Sequence, residues 1–96
     1  MSAYWISVYD EIVDPTKVAA YAKLARPALE AAGGSFLAAG APELAYEAGE
    51  MTRTVIIEFD SVAAARAAHE SPAYQQALAA LADGAVRDLR VVPGLT

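Results

Sequence analysis

His69 is the first residue of this chain that could take part in acid–base chemistry. It is the only histidine, and an imidazole can exchange protons near neutral pH. It lies at the end of an alanine-rich helical run, just before the break that Ser71-Pro72 introduces. Two interpretations fit this position. His69 is either a catalytic proton donor or acceptor, or a partly exposed helix-end histidine that interacts with the local carbonyl dipole.

Glu58 is the second candidate, because it lies within the clearest strand of the chain, residues 52–59. Alternation predicts that one face of this strand contacts helices and that Glu58 lies on the other face. The helix-facing side carries Arg53, Val55, Ile57 and Phe59. A covered carboxylate must be paired, hydrogen-bonded or protonated, and Arg53 or Arg90 could pair with it. Glu58 is therefore either the acid–base or anchoring group of a small cavity, or part of a structural ion pair.

Aromatic residues are the third group that could serve a site. Those that could line an aromatic pocket are Tyr4, Trp5, Tyr9, Tyr21 and Tyr74. Of these, Tyr4 and Tyr74 are the candidate ligand-binding residues, together with the guanidinium groups of Arg53 and Arg90. The alternative is that the aromatic side chains fill the core and an interface and keep only a polar tip near water. Ser71 is explained as a helix N-cap, since no nucleophile elbow accompanies it.

Metal and cofactor sites are not predicted. The chain has no cysteine and one histidine, and its carboxylates show no ligand-like spacing. Gly33-Gly34 is a helix end and turn, because the longer glycine spacing of a phosphate loop is missing. We therefore expect no cofactor and no metal.

Charge excludes two classes of partner. The formal net charge is −5, and the seven basic residues are scattered. Nucleic-acid binding is disfavoured without a basic stripe, and an acidic chain does not dock on anionic membranes. The N-terminus lacks the pattern of a signal peptide, and no apolar run is long enough to span a membrane. A cytoplasmic location is the resulting expectation.

The elements that must position these residues can be predicted in the first half of the chain. Residues 3–9 alternate as a strand with apolar side chains on both faces. Asp14 and Pro15 start a helix that extends to about residue 32, which Pro27 should interrupt and bend. Residues 35–40 form a short strand, followed by a bend and a second short strand at 44–47.

The second half repeats the order strand, helix, strand. The strand at 52–59 is followed by a helix capped by Ser61, and Ser71 caps a further helical piece that ends at Gly84. Residues 87–94 close the chain as a strand. The order β-α-β-β-α-β, with the second helix broken, predicts one α+β domain over residues 1–96: a ferredoxin-like antiparallel sheet with helices on one face.

The uncovered sheet face predicts a homodimer. Helices cover only one face, whereas the central strands at 3–9 and 52–59 carry apolar side chains on both. Burial contributes roughly 25 cal/mol for each Å² of apolar area removed from water. Two copies that pair these faces would form a dimeric α+β barrel.

Motifs along almost the whole chain resemble the bacterial domain-of-unknown-function family 1330. They are Ala-Tyr-Trp-Ile at the start, Asp14-Pro15 with Tyr21, Gly33-Gly34 with Phe36, residues 53–59, and Ser71 to Gln75. The resemblance implies a dimeric α+β barrel, the fold of small monooxygenases and muconolactone isomerases. It implies no settled activity.

Three functions are consistent with these observations. One is a small protein that binds or transforms a small organic molecule without a cofactor. Another is a non-catalytic ligand-binding or accessory protein, and the third is an interaction module whose barrel interior is filled by side chains. An open cavity favours the first two, and a packed interior favours the third.

Overall fold

The computed structural model describes residues 1–95. Along the chain the elements are β1 (Ala3–Ile12), α1 (Pro15–Ala31), β2 (Ser35–Gly40), β3 (Thr54–Phe59), α2 (Val62–Glu70), α3 (Pro72–Leu81) and β4 (Ala85–Pro93). This is the predicted β-α-β-β-α-β order, with the second helix divided into two.

The strands form one four-stranded antiparallel sheet in the order β2-β3-β1-β4. The predicted central strands, β1 and β3, lie next to each other, with Trp5 opposite Ile57 and Tyr4 opposite Glu58. Register shifts interrupt β1 against β4 near Tyr9 and β2 against β3 near Phe36. The ferredoxin-like α+β fold is therefore confirmed.

The predicted caps begin each helix. The carboxylate of Asp14 accepts from the backbone N–H groups of Thr16 and Lys17, at 3.0 and 3.3 Å. Ser61 and Ser71 cap α2 and α3 through their hydroxyl oxygens. Ser71 has extended backbone angles, φ −64° and ψ 145°. Pro72 imposes such a conformation on the residue before it, so α2 and α3 cannot merge.

One face of the sheet forms the core with the helices. Trp5, Ile57 and Phe59 are almost fully buried there and pack against Leu29 of α1 and Tyr74 of α3. The opposite face carries Ile6, Val8 and Ile56, which keep partial contact with solvent. Alternation in β1 and β3 thus separates the two faces as the sequence predicts.

Two expectations about local structure are wrong: the interruption of α1 at Pro27 and the strand at residues 44–47. α1 continues through Pro27 to Ala31. A proline removes one helical hydrogen bond, and the burial of Ala25, Ala28 and Leu29 against the core holds the helix on both sides of it. Residues 44–47 form no strand: within the described chain, residues 41–53 contain only turns, bends and irregular backbone. Their side chains are almost all exposed, Leu44 and Tyr46 included, so this segment does not pack against the sheet.

Within residues 1–95, no helix has the length and apolar character needed to cross a bilayer.

Candidate ligand-binding cavity

A cavity of about 460 Å³ lies between α1 and the helix-facing side of the sheet. Its volume falls within the range typical of small-molecule sites. Apolar side chains form most of its wall, with Trp5, Val55 and Ile57 on the sheet, Leu29 on α1 and Phe36 on β2. The exposed lining residues mark its rim: Ile12, Pro15, Ala19, Ala22, Arg26, Ala39 and Arg53.

Three polar side chains meet at one end of this cavity. Arg87 of β4 donates from Nη1 to the hydroxyl oxygen of Tyr21, at 2.9 Å. That oxygen also lies 2.8 Å from the hydroxyl oxygen of Tyr74 on α3. The Arg87 guanidinium carbon is 4.6 Å from the centre of the Tyr21 ring and 5.5 Å from that of Tyr9. Helices α1 and α3 are thereby joined to the last strand by hydrogen bonds.

Burial keeps the phenols of this end protonated. It raises the pKa of Tyr21 well above 10.0, and the neighbouring Tyr74 raises it further, whereas Arg87 opposes the shift. Burial also raises the pKa of Tyr9, against the smaller lowering effects of Arg87 and Arg53. At neutral pH these hydroxyls act as hydrogen-bond donors and acceptors and not as phenolate bases.

Arg53 and Arg87 flank Tyr9 on either side. Tyr9 is opposite Arg87 in the β1–β4 register, and its backbone N–H donates to the Arg53 carbonyl at 2.9 Å. Both arginines line the cavity. Arg53 is the one predicted ligand-binding residue that lies in its wall.

Ser7 supplies a buried hydroxyl to the same cavity. Its side chain is 3% exposed, and its Oγ has no hydrogen-bond partner among the described residues. An unsatisfied buried hydroxyl costs about 1–3 kcal/mol. A polar group of that kind in a cavity wall is available to a ligand.

His69 lines a second, smaller cavity of about 320 Å³. It lies in the last turn of α2 and is half-buried, as the helix-end interpretation expects. Its ring centre is 5.7 Å from that of Trp5 and 5.2 Å from that of Tyr74. Trp5 contributes to both cavities, so His69 lies behind the wall of the larger one.

The remaining predicted site residues, Tyr4, Glu58 and Arg90, lie on the face of the sheet that no helix covers. Tyr4 and Glu58 are opposite each other in register. Arg90 forms a two-point ion pair with Asp88 at 2.8 Å for both hydrogen bonds, and Arg53 lies on the helix-facing side. The expectation that either arginine pairs with Glu58 is therefore wrong for a single subunit.

Tyr74 is fully buried and does not line the larger cavity. Its hydroxyl is hydrogen-bonded to that of Tyr21, which does. Arg87 and Ser7 were not among the predicted site residues, and Tyr21 was predicted only as one of the aromatic residues that could line a pocket. One signal was present: Arg87 alternates with Leu89 and Val91, which places it on the helix-facing side. No local sequence pattern predicts the hydrogen bond between Tyr21 of α1 and Tyr74 of α3.

Within residues 1–95, no group of three histidine or carboxylate side chains could hold a metal ion.

The sequence profile of the family described as a domain of unknown function (DUF1330) matches residues 2–95. The chain belongs to this family. No curated protein matches it. Membership of DUF1330 assigns no reaction to this chain, so a function has to be argued from the cavity described above.

Solved structures share the fold of this DUF1330 chain. A protein of unknown function from Rhodopseudomonas palustris superimposes with a TM-score of 0.72 at 20% identity, over 99% of this chain and 83% of the other. SnoaB, a cofactor-independent oxygenase from Streptomyces nogalater, gives 0.69 at 12% identity, over 99% and 94%. A dimeric ferredoxin-like protein of unknown function from Thermobifida fusca gives 0.62 at 24% identity, over 98% and 92%. At these identities the similarity shows the fold alone.

Proposed function

We propose that this protein binds a small, planar organic molecule in the cavity between α1 and the sheet. The observation that carries this proposal is the cavity itself, about 460 Å³ in volume within a domain of 96 residues. A packed interior would have left no such space. Aromatic walls at Trp5 and Phe36 favour a flat ligand, because rings stack or meet edge to face.

Two polar side chains of this cavity, Tyr21 and Arg87, meet at one end, as in sites that orient a ligand. Tyr21, Arg87 and Ser7 supply hydroxyl and guanidinium groups, and most of the remaining wall is apolar. Such a combination of large apolar area with a few placed polar groups is typical of small-molecule sites. Arg53, at the rim, contacts a ligand as it enters.

We further propose that the protein acts as a homodimer through the uncovered sheet face. Ile6, Val8 and Ile56 lie on that face and keep partial exposure in a single subunit. The structurally similar protein from Thermobifida fusca is described as dimeric. In such a dimer, Tyr4, Glu58 and Arg90 would lie between the sheets, which keeps them as candidates for an interface site.

A second candidate function is cofactor-free transformation of the bound molecule, with His69 in proton transfer. The fold shared with the oxygenase SnoaB supports it. Mass spectrometry of an aromatic compound incubated with protein and oxygen tests it. Conversion that falls at least tenfold in His69→Gln supports this candidate, and unaltered conversion removes His69 from it.

A substitution that fills the mouth of the cavity with a large side chain tests the binding function. Thermal-shift screening of small aromatic compounds is run on the wild type, on Ala22→Trp and on Ala20→Trp. Ala22 lies at the rim of the cavity, whereas Ala20 is exposed on α1 and does not line it. We expect stabilising compounds to act on the wild type and on Ala20→Trp only. Equal stabilisation of Ala22→Trp would contradict binding in this cavity.

A further inference from the structure

We infer that the ligand of this cavity is an acid: a planar aromatic molecule whose anionic group pairs with Arg87. The inference rests on the proposed function and specifies its ligand class. It draws on the charge of the lining, the pairing of Arg87, and the direction in which the Tyr21 and Ser7 hydroxyls can donate.

The cavity is cationic within an acidic protein. The chain has 12 acidic and 7 basic residues. Three of those basic residues, Arg26, Arg53 and Arg87, line the cavity, and no aspartate or glutamate does. A concave site lined by charges of one sign raises the local concentration of ligands of the opposite sign.

Arg87 has no carboxylate partner among the described residues. It is half-buried, and its contacts are neutral tyrosines: the hydroxyls of Tyr21, Tyr74 and Tyr9 and the rings of Tyr21 and Tyr9. Two other arginines already have a carboxylate partner. Arg90 pairs with Asp88, and the Arg26 side chain lies 3.7 Å from that of Glu30 at the surface. A guanidinium carries five N–H donors and stays protonated. Neutral phenols accept hydrogen bonds from it but leave its charge without compensation, which an anion would supply.

The hydroxyl of Tyr21 is set to donate into the cavity. Its oxygen accepts from Arg87. Tyr74 is fully buried, and Tyr21 is the hydrogen-bond partner of its hydroxyl. If Tyr21 donated to Tyr74, the Tyr74 proton would lack an acceptor. With Tyr74 donating, the proton left without a protein acceptor is that of Tyr21, which lines the cavity, so a ligand there can accept it.

Ser7 offers a further donor. Its buried hydroxyl lines the cavity without a protein partner. A carboxylate accepts up to about four hydrogen bonds, so Arg87, Tyr21 and Ser7 can serve its oxygens while the ring rests on Trp5 and Phe36. A neutral or cationic ligand would leave the arginine uncompensated.

Acid and amide pairs test this inference by calorimetry. Benzoate, 2-naphthoate and 2-anthroate are each compared with the corresponding primary amide, which keeps the shape and removes the charge. Charge-assisted hydrogen bonds are stronger than neutral ones, so at least one acid should bind about tenfold to a hundredfold tighter than its amide. Arg87→Gln should abolish that preference. Lys23→Gln, the same charge change at an exposed position of α1 that does not line the cavity, should keep it.

The possible results distinguish failure of the proposed ligand class from failure of the proposed binding function. Amides that bind as tightly as acids overturn the inference and leave the proposed function standing. An acid preference that survives in folded Arg87→Gln overturns the assignment to Arg87. Failure of all six compounds to bind overturns both. The acid and amide comparison on the wild type stays decisive even if Arg87→Gln does not fold.

Discussion

The hydroxyl oxygens of Tyr21 and Tyr74 lie 2.8 Å apart in the interior, where they join α1 to α3. Arg87 of β4 donates to the same Tyr21 oxygen, so one phenol connects two helices and the edge strand of the sheet. These contacts close one end of the cavity between α1 and the sheet, and they explain why that end is polar. They also make the stability of the fold depend on the protonation of a tyrosine.

Alkaline pH should destabilise the protein through Tyr21. Burial raises its folded-state pKa above 10.0. The contribution of Tyr21 to the free energy of unfolding is complete below about pH 10. It is lost as the pH rises from there towards the folded-state pKa, because in that range only the unfolded chain releases the proton. The slope approaches about 1.4 kcal/mol per pH unit. Urea unfolding between about pH 8 and pH 11 measures it.

Tyr21→Phe is the matched variant for this pH series. At neutral pH it should lower the free energy of unfolding by about 1–3 kcal/mol, since Tyr74 and Arg87 lose a partner. Its alkaline slope should be shallower than that of the wild type. Identical slopes would show that Tyr21 ionises equally in the folded and unfolded states.

Ser7→Ala should stabilise the free protein. The Ser7 hydroxyl is buried without a partner, and its removal should raise the free energy of unfolding by about 1 kcal/mol. Ser61→Ala is the control, because the same chemical change there removes the N-cap of α2 and should cost about 1 kcal/mol. Equal destabilisation by both substitutions in urea unfolding would show that Ser7 is hydrogen-bonded.

A charge on the uncovered sheet face should separate the proposed dimer. Ile56 is on a central strand, on the side away from the helices. A lysine there would place an ammonium group between the sheets, which is costly without a partner. Light scattering at micromolar concentration should report a dimer for the wild type and for Ala67→Lys, an exposed change on α2, but a monomer for Ile56→Lys. A monomeric wild type would contradict the dimer.

Gly34→Ala should destabilise the fold at the end of α1. A Cβ at this position would lie 2.9 Å from the Leu29 carbonyl oxygen and 2.9 Å from a ring atom of Phe59. Overpacking of this kind costs about 1–3 kcal/mol. Thermal unfolding of Gly34→Ala beside the wild type measures it, and an unchanged melting temperature would show that the neighbouring groups move aside freely.

The sequence was enough to predict the fold because its signals are local. Capping by Asp14, Ser61 and Ser71, and alternation in residues 54–59, specify element order and faces. The site was predicted less well. Arg53 was placed correctly through alternation, whereas the contact of Tyr21 with Arg87 joins residues 66 positions apart in the chain. No local pattern encodes such a contact. Glu58 was favoured because alternation puts it on the strand face away from the helices, where it does lie.

The most direct test of the account is a crystal structure of the protein with the aromatic acid that binds most tightly. The account predicts electron density for the ring beside Trp5 and Phe36, with the carboxylate within hydrogen-bond distance of Arg87. Density confined to the smaller cavity beside His69, or to the sheet face that carries Glu58, would contradict it.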